Sequence, residues 1–259
     1  MQLNSKNQTI LLVSDVHQEV DKLQHILNNE NYDIAVCLGD FFDSHTHNTH
    51  KDVIKTVAFL EKWMFKENFY ALFGNHDLMY FYINKHTICS GYTDWKFDLI
   101  RNVLGEKFGA IQDKFLWYIW VDNFLCTHAG LHSCHLNLNL NVEDKTALSK
   151  WLDVEVIRSK NSLITGIGHW TYRAGAARGG NQPYGGLTWL DSDREFEPIN
   201  GLKQIFGHTA HSKILLCPHD QGIFNANFEK WNNINIDCHL NEYLLIKNGK
   251  LEIKKYIDL

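Results

Sequence analysis

Five short apolar runs in this chain end in residues that bind cations or move protons. Thr9–Val13 leads into Ser14-Asp15-Val16-His17, and Asp33–Leu38 ends at Gly39-Asp40-Phe41-Phe42-Asp43. Asn68–Phe73 ends at Gly74-Asn75-His76-Asp77. Phe124–Thr127 leads into His128-Ala129-Gly130, and Leu202–Phe206 into Gly207-His208-Thr209. Residues i and i+2 of an extended segment share a side, so Asp15 and His17 can grip one ion. Asp40 can place one carboxylate oxygen on each of two ions. Asn75 offers a hard, neutral oxygen, and His76 beside it is placed to handle a proton. His128 and His208 have small neighbours, which let a backbone approach a bound ion closely.

Taken singly, these features have ordinary structural readings. Asp15 and His17 also fit a turn Asp beside a surface His. Asp40 also fits a cap on a following helix. A lone His after an apolar run is commonly a satisfied core residue. Packing explains Gly74–Asp77 least well, and the ordered set of all five is what points to a site. The loop Ser44–His50 holds His45, His47 and His50. Alternating histidines can chelate, but a solvated loop bordering the site is the simpler reading. His169, Trp170 and Tyr172 fit either the wall of a substrate pocket or a structural aromatic cluster.

The elements that must position these residues follow from periodicity. Glu19 to Asn29 places Val20, Leu23, Ile26 and Leu27 on one helical face. Asp52 to Phe65 does the same with Val53, Val57, Leu60 and Met64. Strands separated by such helices predict βαβ units. In open α/β sheets ligands gather beyond the carboxyl ends of strands, so remote strand ends can converge. Further along, the pattern predicts helices over Asp94–Leu104 and Glu143–Leu152, and a hairpin across Asp122-Asn123. Gly166 to Gly186 is rich in turn residues and predicts loops. Short strands are expected at Ile214–Leu216 and Ile234–Asp237, then a hairpin, Tyr243 to Ile253, turning at Asn248-Gly249. No internal repeat or linker interrupts the chain, so residues 1–259 read as one α/β domain.

Composition narrows the class. A hydrophobic fraction of 44% in 259 residues supports a sizeable core, and a formal net charge of -5 disfavours nucleic acid and anionic membranes. There is no apolar window of about 18 residues to span a bilayer. The polar start, Met1 to Ile10, lacks the pattern of a signal peptide. Cys37, Cys89, Cys126, Cys134, Cys217 and Cys238 are scattered, with no C-x-x-C pair. A reducing, cytoplasmic setting is the simplest expectation.

The order D-x-H, G-D-x-x-D, G-N-H-D, H-A-G, G-H-T resembles the calcineurin-like metallophosphoesterases. It is most similar to the branch of the Ser/Thr phosphoprotein phosphatases and bacterial diadenosine tetraphosphatases. His128-Ala129-Gly130-Leu131 and the late Asn235-Ile236-Asp237 are features of that branch. The resemblance runs from Asp15 to about Asp237. It implies a sandwich of two mixed sheets flanked by helices. It implies one metal held by Asp15, His17 and Asp40, and a second by Asp40, Asn75, His128 and His208. It implies His76 as general acid, hydrogen-bonded to Asp43. Two divalent ions with such mixed N/O ligands suit Mn²⁺, with Fe or Zn²⁺ possible. The implied reaction is hydrolysis of phosphomonoesters, including phosphoproteins. Hydrolysis of diadenosine tetraphosphate is the alternative, and an inactive scaffold on the same fold a more distant one.

Two departures stand out. Many relatives carry Arg directly after the second Asp of G-D-x-x-D, where this chain has Ser44. Arg173, Arg178 and Arg194, between His128 and His208, are the candidates to clamp phosphate instead. Broader metallophosphoesterases often read G-H-x-H, whereas His211 here falls one position late, so the first metal would have fewer protein ligands. The segment 131–197 is expected to shape specificity.

Overall fold

A computed structural model of the protein describes residues 1–216 and 232–257. Cys217 lies outside the described residues; the other five cysteines are free thiols, with Cys37, Cys126 and Cys238 buried.

The run Thr9–Val13 forms β2, and all five of its residues are buried. A strand buried on both faces needs a layer on each side, and alternation supplies both. Leu11 and Val13 face one apolar cluster, which includes Leu23, Val57 and Leu60 of the helices. Ile10 and Leu12 face another, with Ile119, Val121, Cys126, Ile205 and Ile234. The parity repeats in β3 (Ile34–Cys37), where Ala35 and Cys37 face the helices and Val36 faces inward. A one-residue slip would exchange the two faces, so the register is firmly set.

β2 and β3 pair in parallel, as do β3 and β4 (Phe69–Ala71). β10 (Glu242–Lys247) joins β2 antiparallel and carries β11 (Lys250–Lys255) at the edge. The hairpin turn, Asn248 at φ 50° and Gly249 at φ 72°, has the two positive φ values of a type I′ turn. The second sheet has the order β1 (Gln2–Leu3), β5 (Ile119–Val121), β6 (Phe124–Cys126), β7 (Lys203–Phe206), β9 (Asn233–Asn235), β8 (Leu215–Leu216). It too is mixed, so two mixed sheets pack face to face, with helices outside.

α1 (Val20–Asn29) buries the face expected of it: Val20, Leu23, Ile26 and Leu27. α2 (His50–Trp63) begins two residues before Asp52. Thr49 and Asp52 form a capping box, in which each side chain accepts the other's backbone N–H. α4 spans Asp94–Leu104, as the pattern predicts. α3 (Asn75–Phe81) and α5 (Lys107–Lys114) are not expected from the pattern. α5 buries only Phe108 and Ile111, too few to mark a period. α6 (Lys145–Thr165) continues well past Leu152 until Gly166, at φ 70°, ends it. Val154, Ile157 and Ile164 are 45%, 60% and 78% exposed, so apolar residues ring this helix and blur its amphipathic signal. Among the described residues no helix is long and apolar enough to cross a membrane.

Candidate metal centre

The five strand ends singled out above converge at one end of the sandwich. Asp15, Asp40 and Asn75 follow β2, β3 and β4 of one sheet; His128 and His208 follow β6 and β7 of the other. The chain turns abruptly there. Asp15, His17, Asp40, Asp43 and His208 have φ of 54°, 42°, 55°, 61° and 71°. Asp, Asn and His tolerate this region better than other side chains, and such conformations persist only where surroundings hold them. Here the first two loops hold each other: His17 N–H donates to Asp40 O at 2.7 Å, and Gln18 N–H to Phe41 O at 2.9 Å. Asp77 braces the third, accepting backbone N–H groups of Asp40, Phe41 and Gly74 at 2.7, 2.8 and 3.0 Å. Burial, with Asp40 nearby, pushes the Asp77 carboxyl up to about 7 although the Gly74 and Phe41 N–H groups oppose the shift. Gly74 is required by close approach, because a Cβ there would overlap the Asp40 carboxylate.

The donor atoms form two groups that share one residue. One ligand atom each from Asp15, His17 and Asp40 lies within 4.8 Å of the others, and the same holds for Asp40, His128 and His208. His17 Nε2 is 3.9 Å from both Asp15 Oδ1 and Asp40 Oδ2. His128 Nε2 is 3.3 Å from Asp40 Oδ2 and 3.1 Å from Asn75 Oδ1. The far side of each imidazole is fixed: His17 Nδ1 meets Asp43 O at 2.7 Å, and His128 Nδ1 meets Leu38 O at 2.8 Å. A carbonyl only accepts, so Nδ1 carries a proton, and Nε2 is the ring atom turned inward to the carboxylates. Among the described residues, the buried His208 Nε2 has no hydrogen-bond partner, and the same is true of Asp237 Oδ1.

The electrostatics match a cation site. Burial opposes protonation of His128, yet Asp40 and Asp15 outweigh it and raise the pKa to about 10. Burial likewise opposes ionisation of Asp40, but His128, His76 and His17 hold its carboxyl far below the usual range. At His208 burial, then His128 and Arg178, push the pKa well below the ordinary value. At Asp237 burial and the neighbouring Asp15 push it well above. Buried carboxylates, inward-facing imidazole Nε2 atoms and unpartnered polar atoms are what a divalent ion would satisfy.

His76 stands at the rim in the first turn of α3. Its backbone N–H donates to Asp40 Oδ1 at 2.9 Å, and its Nδ1 lies 3.2 Å from Asp43 Oδ2. The other oxygen of Asp43 receives Lys96 Nζ at 2.6 Å and Tyr80 OH at 2.8 Å. Lys96 is 1% exposed and was not anticipated from the sequence. A signal existed, since Lys96 shares a helical stripe with the buried Ile100 and Leu104. Asp237 carries no sequence signal beyond the Asn235-Ile236-Asp237 motif.

The three arginines separate. Arg178 lies beside the donor groups, with Nε 2.8 Å from Asp191 Oδ2 and Nη2 3.1 Å from Thr209 Oγ1. Arg173 bonds to Asn181 and packs by Gly168 and His86. Arg194 is exposed, and its backbone N–H donates to Asp191. His211 lies 3.3 Å from Asp193 and joins neither donor group. His45, His47 and His50 are exposed and in no such group; His50 stacks on Trp95 at 4.3 Å. His169 and Trp170 both meet the buried Glu155 of α6, at 3.4 and 2.7 Å, and Tyr172 is buried, so the three form a packing cluster.

Two mixed sheets whose carboxyl ends together present metal donors define a metallophosphoesterase-type α/β sandwich. The chain belongs to the calcineurin-like phosphoesterase family, whose model matches residues 8–212. Members of that family act on phosphate esters and generally bind divalent metals. Among solved structures, the cold-active protein-tyrosine phosphatase of a psychrophilic Shewanella species is similar at 16% identity. That match covers 98% of this chain and 80% of the other, with a TM-score of 0.60. A serine/threonine protein phosphatase from Saccharomyces cerevisiae with similarity to human phosphatase PP5 is similar at 13% identity. It covers 100% of this chain and 84% of the other, with a TM-score of 0.52. No curated protein matches the chain. At these identities the likeness speaks for the fold.

Proposed function

We propose that this chain is a cytoplasmic hydrolase of phosphomonoesters that works with two divalent ions, Mn²⁺ first among them. The observation that carries the proposal is Asp40, one carboxylate common to both donor groups. In this reading Asp15, His17 and Asp40 hold one ion, and Asp40, Asn75, His128 and His208 the other. When bound, such a pair lowers the pKa of water and neutralises phosphate charge. His76 donates a proton from Nε2 to the departing alkoxide, while Asp43 holds Nδ1. A positioned acid of this kind contributes about 10²–10⁴-fold. Arg178, beside His208, is the arginine that clamps a phosphate oxygen; its fork suits two-point contact. The chain acts as one domain, with segment 131–197 shaping the rim of the site.

The two solved structures described above are named protein phosphatases, which makes phosphopeptides the first substrates to try. The test is metal content together with hydrolysis of phosphoserine, phosphothreonine and phosphotyrosine peptides and of diadenosine tetraphosphate. Release of phosphate from peptides with added Mn²⁺ supports the proposal. Preference for diadenosine tetraphosphate would move the substrate class to phosphoanhydrides. A protein that retains no metal and cleaves no ester would be an inactive scaffold.

A further inference from the structure

We infer that Lys96 is a positioning residue for the proton donor, acting through Asp43. The inference rests on the role of His76 proposed above, and deepens it.

Asp43 is buried, and three side chains divide its two oxygens. Lys96 Nζ and Tyr80 OH occupy Oδ1 at 2.6 and 2.8 Å, and His76 Nδ1 faces Oδ2 at 3.2 Å. A carboxylate with one oxygen saturated from behind cannot rotate without breaking two bonds, so Oδ2 stays turned to the imidazole. Lys96 is itself tied down, since Nζ also donates to Gly91 O at 2.8 Å. Gly91, at φ 92°, presses on the same carboxylate; a Cβ there would lie 2.9 Å from Asp43 Cγ. The segment between α3 and α4 thus closes a socket around Asp43.

The chemistry of Lys96 argues against simple filling. Its stripe partners Ile100 and Leu104 are apolar, and an aliphatic side chain would pack there without desolvating an ammonium. Ser44 follows Asp43, so the adjacent residue brings no cation; this one comes from a helix 53 residues away. An ion pair fixes direction as well as contact, and direction is what a proton donor needs. In-line protonation of a leaving oxygen depends on where His76 Nε2 points, and Asp43 sets that through Nδ1.

The test uses Lys96→Met in the full chain with Mn²⁺ and two substrates. One is p-nitrophenyl phosphate, whose leaving group departs as a stable anion. The other is a phosphoserine peptide, whose alkoxide must be protonated. We expect kcat on the peptide to fall about 10–100-fold, part of the full contribution of a general acid. On the aryl ester kcat should change little, and KM should hold for both. Lys96→Arg, which keeps the charge, should recover part of the peptide rate. Tyr80→Phe, which removes the other donor to Oδ1, should give a smaller loss of the same kind. Circular dichroism checks each fold, and if Lys96→Met does not fold, Lys96→Arg and Tyr80→Phe carry the comparison. Equal losses on both substrates would mean that Lys96 serves the fold alone and overturn the inference, as would no loss. His76→Asn separates the two levels. If it lacks this dependence on leaving group, the donor assignment fails and the inference with it. If it has the dependence and the socket variants lack it, only the inference fails.

Discussion

The backbone N–H of His208 donates to both carboxylate oxygens of Asp15, at 3.2 and 3.0 Å, across 193 residues. Asp15 belongs to one donor group and His208 to the other, and they follow β2 and β7 in different sheets. The contact therefore joins the two layers at the point where both present candidate donor atoms. Ser14 Oγ also bonds to Asp15, so the carboxylate is held before any ion arrives.

If Asp40 is common to both ions, its loss should be felt at both. Asp40→Asn should weaken Mn²⁺ binding by more than about 100-fold, beyond the usual effect of an outer-shell partner. Metal content per chain after desalting measures this. Retention of two tightly bound ions would remove Asp40 from its bridging position.

Asp237 gives a prediction for the metal-free protein. Burial and Asp15 raise its carboxyl well above the usual value, and Oδ1 has no partner among the described residues. A raised carboxyl costs stability once pH exceeds its unfolded pKa of about 3.9, because folding opposes its ionisation. With metal chelated at pH 7.5, Asp237→Asn should melt at or above the wild-type temperature. The gap should close in acid, where both side chains are neutral. Calorimetric scans at the two pH values check this, and a variant that melts lower at pH 7.5 would contradict it.

Acid should loosen segment 131–197. His132, His135 and His169 all have lowered pKa values, with burial the first cause in each. They stack in aromatic surroundings: His132 on Tyr184 at 3.8 Å and His135 on Trp170 at 4.5 Å. A histidine lowered in the fold supports stability above its unfolded pKa of about 6.5 and loses it as pH falls below. Tryptophan fluorescence of the chelated protein should show the melting temperature dropping from pH 7 to 5. His135→Gln should drop less; an equal drop would place the sensitivity elsewhere.

Among the arginines, only Arg178 should matter to substrate. Arg178→Ala should lower kcat/KM for a phosphopeptide about 10–100-fold, the loss of hydrogen bonds to a charged group at about 1.5–3 kcal/mol. Arg173→Ala and Arg194→Ala should stay near wild type. A larger loss at Arg173 would put the clamp on the other arm of that loop.

The sequence carried most of what depends on near neighbours. Unbroken apolar runs made Thr9–Val13 and Asp33–Leu38 visible as buried strands. The 3.6-residue period placed α1 and α4, and Asn248-Gly249 announced its turn. Asp15, Asp40, Asn75, His128 and His208 stood out because polar groups at the ends of buried runs are costly unless used. What escaped lacked a local signature. α6 runs past Leu152 because its apolar residues lie all round it, so no face is marked. α3 starts at Asn75, where the Asp77 side chain accepts the Gly74 N–H, a bond hidden inside a motif that carries no apolar period. Which arginine lies beside His208, which oxygen of Asp43 faces His76, and that Lys96 stands behind it were decided only by packing. These are contacts between remote segments, fixed once two sheets and their helices close on each other, and no spacing along the chain encodes them.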